Sequence, residues 1–210
     1  FLAISPKSVG RQELDTTGKI LLPETFLNRI LRSNPNHNVM TFVLTNPQSN
    51  QQIAAGVESF TADNSSVVIP SWMMNFIDVS ENDKVRVTFT KLPNVTFVSL
   101  QSFQSEFLSL PNYTVILECA LRQFPCLTQG SVIPIPFVNS IYHIKILKVE
   151  PQRMGSAVHV DVSTDIVEQS LDSFTHHWGE EEDHYEPTKQ EDSVKSVFQG
   201  PSHKVTLKKK

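Results

Sequence analysis

Short apolar runs separated by turn residues dominate the first hundred residues of the chain. Residues 83–89 alternate with a period of two, so that Val85, Val87 and Phe89 share one face, as in a half-buried strand. Strands this short and this frequent are typical of a β-barrel. The other predicted strands of this region are residues 19–22, 39–44, 53–60, 66–69 and 95–100.

Two short helices are predicted between these strands, and each begins at a proline. Pro23 suits the first turn of a helix, because it has no backbone N–H to leave unsatisfied. The second helix spans residues 70–77. Apolar residues at helical spacing give the first helix one buried face, formed by Phe26, Leu27, Ile30 and Leu31.

A different pattern follows in the second half of the chain. Residues 111–124 form the clearest predicted helix, which Pro125 ends. Strands are then predicted at residues 132–137, 141–149 and 157–162, so this region is α+β. The apolar face of the helix contains Tyr113, Ile116, Leu117, Ala120, Leu121 and Phe124.

Two turns, residues 81–84 and 128–131, each precede a predicted strand and form a faint internal repeat. Both contain residues suited to a positive φ angle, such as Asn82 and Gly130.

The charge of the chain is concentrated in its last part. The 210 residues carry a net charge of −4, but residues 168–192 hold nine acids and one lysine, and residues 193–210 hold five lysines and no acid. Residues 1–167 are close to neutral, so they lack the positive face that nucleic-acid binding requires. Residues 168–210 lack an apolar period and are predicted to be a disordered tail.

No apolar run approaches the ~20 residues that span a bilayer, and the N-terminus does not resemble a signal peptide. Two cysteines are too few for a secreted disulfide framework, which favours a reducing compartment, cytoplasm or nucleus.

Candidate chemistry is sparse in this sequence. Cys119 and Cys126 do not have the spacing of a zinc site and are expected to be buried free thiols. His143 and His159 are expected to be structural residues of strands. No nucleotide-binding, hydrolase or metalloprotease motif occurs, so no catalytic residue, cofactor or metal is predicted.

One tail segment, residues 197–207, places a phenylalanine, a glycine and several aliphatic residues in an otherwise polar stretch. Isolated anchors in a disordered segment are typical of short linear motifs, which become ordered when they bind.

Several segments together resemble the ubiquitin fusion degradation protein 1 family, in order from about Gly18 to Asp165. The more specific ones are Pro-Ser-Trp-Met-Met at residues 70–74 and Leu-Arg-Gln-Phe-Pro-Cys-Leu-Thr at residues 121–128. Further similar segments are residues 18–23, 42–46, 55–60 and 141–151.

The resemblance implies a double-psi β-barrel over residues 1–102, an α+β subdomain over residues 103–167 and the tail over residues 168–210. It also implies a non-enzymatic adaptor that binds polyubiquitin on substrates. With nuclear protein localisation protein 4, such an adaptor recruits the AAA ATPase valosin-containing protein for ubiquitin-dependent and ER-associated degradation. The ubiquitin-binding surface is not identified by the sequence.

Members of this family carry a short ATPase-binding motif, the SHP box, of the form Phe-x-Gly-x-Gly-x-x-Leu. The tail is similar to it at Phe198 and Gly200, whereas Ser202 replaces the second glycine and Val205 replaces the leucine. Leu207 is a further expected contact. The family's segment for nuclear protein localisation protein 4 lies beyond this motif and is expected to be missing from the chain.

Two other functions remain open. Double-psi barrels also host catalysis in other families, so one alternative is that the body is an enzyme. A detached amino-terminal substrate-recognition module of an ATPase would share the same two-part architecture.

Overall fold

The computed structural model describes residues 1–33, 39–158, 160, 162–168 and 203–206. The first part of the chain forms a six-stranded sheet in the order β1-β5-β2-β4-β3-β6. Its strands are β1 (Leu2–Ile4), β2 (Lys19–Leu21), β3 (Thr41–Thr45), β4 (Gln52–Ser59), β5 (Ser66–Val68) and β6 (Arg86–Phe89).

The sheet closes on itself between β1 and the residues that lead into β6. Leu2 forms an antiparallel bridge with Lys84. The backbone N–H of Val85 donates to the Phe1 carbonyl at 2.8 Å. Closure leaves an interior filled by fully buried side chains, including Ile20, Leu22, Phe42, Leu44, Ile53 and Ile69.

Helices α1 (Glu24–Ser33) and α2 (Ser71–Phe76) lie where the sequence predicts them. Phe26 and Ile30 of α1 are buried against the barrel, whereas Leu31 is 45% exposed. The buried apolar face of α1 is therefore narrower than predicted, because it does not include Leu31.

The second part of the chain forms a five-stranded sheet in the order β13-β12-β7-β10-β9 and a two-stranded sheet of β8 and β11. Its strands are β7 (Phe97–Ser102), β8 (Cys126–Thr128), β9 (Val132–Phe137), β10 (Ser140–Glu150), β11 (Met154–Ser156), β12 (Ser163–Glu168) and β13 (His203–Thr206). Its helices are α3 (Ser105–Leu108) and α4 (Tyr113–Leu121). A second core separates this sheet from the helices, and it includes Val98, Leu100, Phe107, Leu117, Ile133, Ile144 and Ile146.

Three sequence predictions about the second part are corrected here. β7 pairs with β10 and β12, so it belongs to the second sheet, and the boundary between subdomains precedes β7 rather than following residue 102. An alternating strand has the same pattern in either sheet, because periodicity does not specify the partner strand. The strand predicted at residues 157–162 is wrong at its described positions, since residues 157, 158, 160 and 162 lie outside strands, between β11 and β12.

The tail prediction is wrong at its two described places. Glu168 is still part of β12, and His203–Thr206 form β13. Pairing with a neighbouring strand supplies backbone hydrogen bonds that the composition of a segment does not reveal. The rest of residues 168–210 lies outside the described residues.

The two predicted turns have the expected backbone geometry. Asn82 has φ of 68° and Gly130 has φ of 89°. Both angles lie in the left-handed region, which Asn and Gly tolerate better than most residues. Within the described ranges, no helix has the length and apolar character needed to cross a bilayer.

Candidate functional site: the cleft between the subdomains

A cavity of about 630 Å³ lies between the barrel and the second subdomain. The barrel side of this cleft is polar, and its charged residues are Arg11, Glu13, Lys19 and Glu58. The opposite side comes from α4 and from the end of β9, and it is mainly apolar, with Val115, Ile116, Ala120, Pro136 and Phe137.

The charged residues of the barrel side are paired with each other. Arg11 Nε donates to Glu13 Oε1, and this hydrogen bond is the main cause that lowers the pKa of the Glu13 carboxyl. Lys19 Nζ lies 2.7 Å from Glu58 Oε2. Since each cation has an acidic neighbour, this side of the cleft carries little net charge.

The apolar side exists because α4 carries apolar residues on its exposed side as well as on its buried side, although Thr114 and Glu118 are polar. Leu117 and Leu121 are buried in the second core, but Val115 on the opposite side is 55% exposed. An exposed apolar patch often marks an interaction site. The exposed face of α4 is therefore available to contact an apolar surface of another molecule.

The floor of the cleft is held by close contacts between the subdomains. The backbone N–H of Gly18 donates to the Gln123 carbonyl at 2.9 Å. A Cβ atom on Gly18 would lie 3.0 Å from Cα of Phe124, so only glycine permits this approach without a shift of the neighbour. Trp72 Nε1 donates to the Thr17 carbonyl at 2.9 Å, and its ring centroid lies 5.9 Å from that of Phe124.

A third set of contacts joins the barrel to β8. The side chain of Thr128 accepts a hydrogen bond at 3.0 Å from the backbone N–H of Ala54 in β4. Thr128 and Ala54 are both buried. A buried hydrogen bond of this kind fixes the relative position of the two subdomains, because separating them would leave the N–H unsatisfied.

The two cysteines have different environments. Cys126 is buried, as predicted, and burial raises the pKa of its thiol to about 12. Cys119 is exposed and lines the cleft, so the prediction that it is buried is wrong. The spacing of apolar residues placed Cys119 within a helix but did not determine which face of that helix is covered.

The histidine predictions are tested at one position. His143 is exposed on β10, as predicted, and its backbone N–H donates to Gln104 Oε1 at 2.9 Å. His159 lies outside the described residues. Within the described ranges, no three or more His, Cys, Asp or Glu residues form a group that could hold a metal ion.

The predicted motif residues of the tail are described at one position only. Val205 lies in β13, where its Cα is paired in register with that of Thr164. Phe198, Gly200 and Leu207 lie outside the described residues. The described residues therefore do not test whether the four residues form a site.

Comparison with known proteins accounts for both subdomains. The family model described as "Ubiquitin fusion degradation protein UFD1, N-terminal subdomain 1" matches residues 1–93. The model of N-terminal subdomain 2 of the same protein matches residues 94–169. The chain belongs to the ubiquitin fusion degradation protein 1 family. The junction of the two matches lies just before β7, in agreement with the strand pairing.

Relatives in this family come from distant eukaryotes. The human protein named "Ubiquitin recognition factor in ER-associated degradation protein 1" is 33% identical over 155 residues, which are 74% of this chain and 50% of that protein. The "Ubiquitin fusion degradation protein 1 homolog" of Dictyostelium discoideum is 33% identical over 155 residues, 74% of this chain and 47% of that protein. The Saccharomyces cerevisiae "Ubiquitin fusion degradation protein 1" is 29% identical over 166 residues, which are 79% of this chain and 45% of that protein. The chain thus spans about half the length of these relatives.

Sequence reasoning did not find the cleft of this family member. The available signal was α4 itself, since Val115 and Cys119 add an apolar second face to the predicted stripe. An isolated helix with two apolar faces indicates either burial or a binding surface, and the choice depends on tertiary packing.

Proposed function

We propose that this protein is a non-enzymatic adaptor. It binds polyubiquitin on substrate proteins and recruits the AAA ATPase valosin-containing protein, so that the substrates are extracted and degraded. The observation that carries the proposal is membership of the ubiquitin fusion degradation protein 1 family over both subdomains. A relative named as a ubiquitin recognition factor in ER-associated degradation supports the same role. The cytoplasm and nucleus are its proposed location.

The cleft is the proposed contact surface for ubiquitin. The exposed Val115 and the half-buried Ile116 of α4 form an apolar wall, and the charged residues opposite it are paired with each other. Such a surface favours a partner with an apolar patch over a strongly charged one. The exposed wall is small, so single contacts in the micromolar range are expected, and several linked ubiquitins would bind more tightly through avidity.

The tail is the proposed contact for the ATPase. Phe198 would be the buried anchor, and Gly200 would allow the turn that follows it. Val205 and Leu207 would add aliphatic contacts. Nuclear protein localisation protein 4 is proposed as a third component of the assembly. The ATPase contact rests on the similarity of residues 198–205 to the SHP box, whereas the third component rests on the family resemblance alone.

The barrel is proposed to be of the double-psi type that the family resemblance implies. Its ring of six strands supports this proposal, since it combines parallel pairs, β1 with β5 and β2 with β4, with antiparallel ones.

The pKa shifts of the described residues have local structural causes. The carboxyls whose pKa is lowered, Glu13 and Glu81, are exposed and accept hydrogen bonds from Arg11 and Ser8. The thiol with a strongly raised pKa, Cys126, is buried. A general base or nucleophile at neutral pH needs the opposite combination of an accessible position and a pKa near 7.

Bridging is the property that distinguishes an adaptor from a protein that binds only one partner. The test is co-precipitation of a polyubiquitinated substrate with immobilised ATPase, with and without the 210-residue chain. Retention of the substrate only when the chain is present is expected. If the chain binds the ATPase but the substrate is not retained, the ubiquitin part of the proposal is wrong.

A further inference from the structure

The outer edge of β12 accepts a strand from the C-terminal segment of the same chain. β12 pairs in parallel with β7 on one side and antiparallel with β13 on the other. Without β13, β12 would be the outermost strand of this sheet and would present a row of unpaired backbone groups. Such an edge is a template for an extended peptide.

The burial pattern of β12 defines the register in which its free edge can pair with another strand. Thr164 and Ile166 are 1% and 4% exposed, whereas Ser163, the first residue of β12, is exposed and Asp165 is half-buried. This alternation places one face of β12 in the second core, and a slip of one residue would reverse it. The edge therefore offers its hydrogen-bonding groups in one defined register. The four residue pairs in that register are Ser163 with Thr206, Thr164 with Val205, Asp165 with Lys204 and Ile166 with His203.

Asp165 gives this edge a preference for a cationic strand. Its Oδ1 atom is buried and has no hydrogen-bond partner among the described residues. The register places the Cα of Lys204 opposite that of Asp165. Opposite charges at directly paired positions stabilise antiparallel strands. Residues 193–210 carry five lysines and no acid, so the segment as a whole has the complementary charge.

We propose that the β12 edge is an intramolecular docking site for residues 203–206, and that this docking competes with binding of the tail to the ATPase. The competition rests on the proposed function of the SHP-like segment, because Val205 is both a residue of that segment and the partner of Thr164. A linear motif binds as an accessible extended segment, so a docked tail withholds Val205 from the ATPase.

The size of the effect follows from the docked fraction. The apparent dissociation constant rises in inverse proportion to the free fraction of the tail. A docked fraction of about 70–90% would correspond to ATPase binding that is weaker by about three- to tenfold.

Docking itself is tested without the ATPase, by NMR of the full 210-residue chain. Backbone contacts between residues 163–166 and 203–206 are expected, with amide shifts that differ from those of a free peptide of residues 193–210. Asp165→Lys should move the shifts of residues 203–206 toward the free-peptide values, and Asp165→Lys with Lys204→Glu should restore them. Glu106→Lys, an equal charge reversal at an exposed position of α3, should leave them unchanged. Shifts of residues 203–206 equal to those of the free peptide in the unaltered chain would overturn the proposal, whatever the variants do.

Competition is tested by the affinity of purified ATPase for the peptide, the full chain and the Asp165→Lys chain. The peptide should bind about three- to tenfold more tightly than the full chain, and Asp165→Lys should approach the peptide. Equal affinity of peptide and full chain would overturn the competition but leave the motif intact. If neither binds, the proposed ATPase contact is wrong and the competition is overturned with it, while the NMR result still decides whether the β12 edge is a docking site.

Discussion

Gly56 of β4 and Pro125, which precedes β8, are in direct contact across the junction of the two subdomains. A Cβ atom on Gly56 would lie 2.7 Å from Cγ of Pro125 and 2.8 Å from its Cβ. Nonbonded carbon atoms normally approach to about 3.5–4.0 Å. The junction is therefore closed so tightly at this point that it admits only glycine.

Replacing this glycine should destabilise the protein. We expect Gly56→Ala to lower the free energy of unfolding by about 1–3 kcal/mol, since the added methyl overpacks the junction. Pro125→Gly removes both ring carbons, at 2.7 and 2.8 Å, so Gly56→Ala should cost less in that background. Urea denaturation of the four chains measures this coupling, and strictly additive effects would show that the contact is not the cause.

The two thiols should react at different rates. Cys119 is exposed, whereas Cys126 is buried with a pKa raised to about 12, so it is both shielded and protonated at pH 8. A thiol-specific reagent should modify one thiol per native chain and two in denaturant. Cys119→Ser should abolish the native reaction, and Cys126→Ser should leave it. Rapid modification of both thiols in the native chain would contradict the burial of Cys126.

Alkaline pH should weaken the contribution of Cys126 to stability. The thiol has a pKa of about 12 in the folded chain but about 8.5 when unfolded, so its stabilising effect is complete below about pH 8.5. Between these values only the unfolded chain loses the proton, and stability falls by about 1.4 kcal/mol per pH unit. The stability difference between the unaltered chain and Cys126→Ala should therefore narrow from pH 8 to pH 10. A constant difference over that range would exclude this titration.

The barrel strands could be predicted from the sequence because their periodicity is local. Val85 and Val87 are buried as the alternation required. The partner of each strand depends on contacts distant in the chain, which a single periodic pattern does not contain. That is why β7 was assigned to the wrong subdomain and why β13 was not predicted at all.

The cleft could not be predicted for a related reason. The predicted face of α4 includes Leu117 and Leu121, which are buried as expected. The opposite face of α4 forms one wall of the cleft because the barrel segment containing Leu14 and Thr17 lies across from it. Which of two apolar helix faces is covered depends on that packing and not on the helix sequence.

The ATPase contact should depend on the aromatic anchor of the tail. We expect Phe198→Ala to reduce capture of the 210-residue chain by immobilised ATPase at least tenfold, since aromatic anchors carry most of the binding energy of short motifs. Val194→Ala, an apolar truncation outside the motif, should have little effect. Undiminished capture of Phe198→Ala would contradict ATPase binding through this motif, but it would not bear on the fold.

The ubiquitin contact should depend on the exposed wall of the cleft. Val115→Glu places a charge on the apolar face of α4 and should weaken binding of ubiquitin chains about tenfold or more. The matched control is Leu31→Glu, because Leu31 is similarly exposed on α1 but does not line the cleft. Equal losses in both variants would indicate a general effect of the added charge and not a contact at the cleft.

The most direct test of the adaptor account is titration of the isotope-labelled 210-residue chain with tetraubiquitin, followed by NMR. The account predicts saturable binding in the micromolar range, with the largest amide shifts at residues 115–123 of the cleft and little change on α1. The absence of any shift at saturating tetraubiquitin would contradict the claim that this protein recognises ubiquitin.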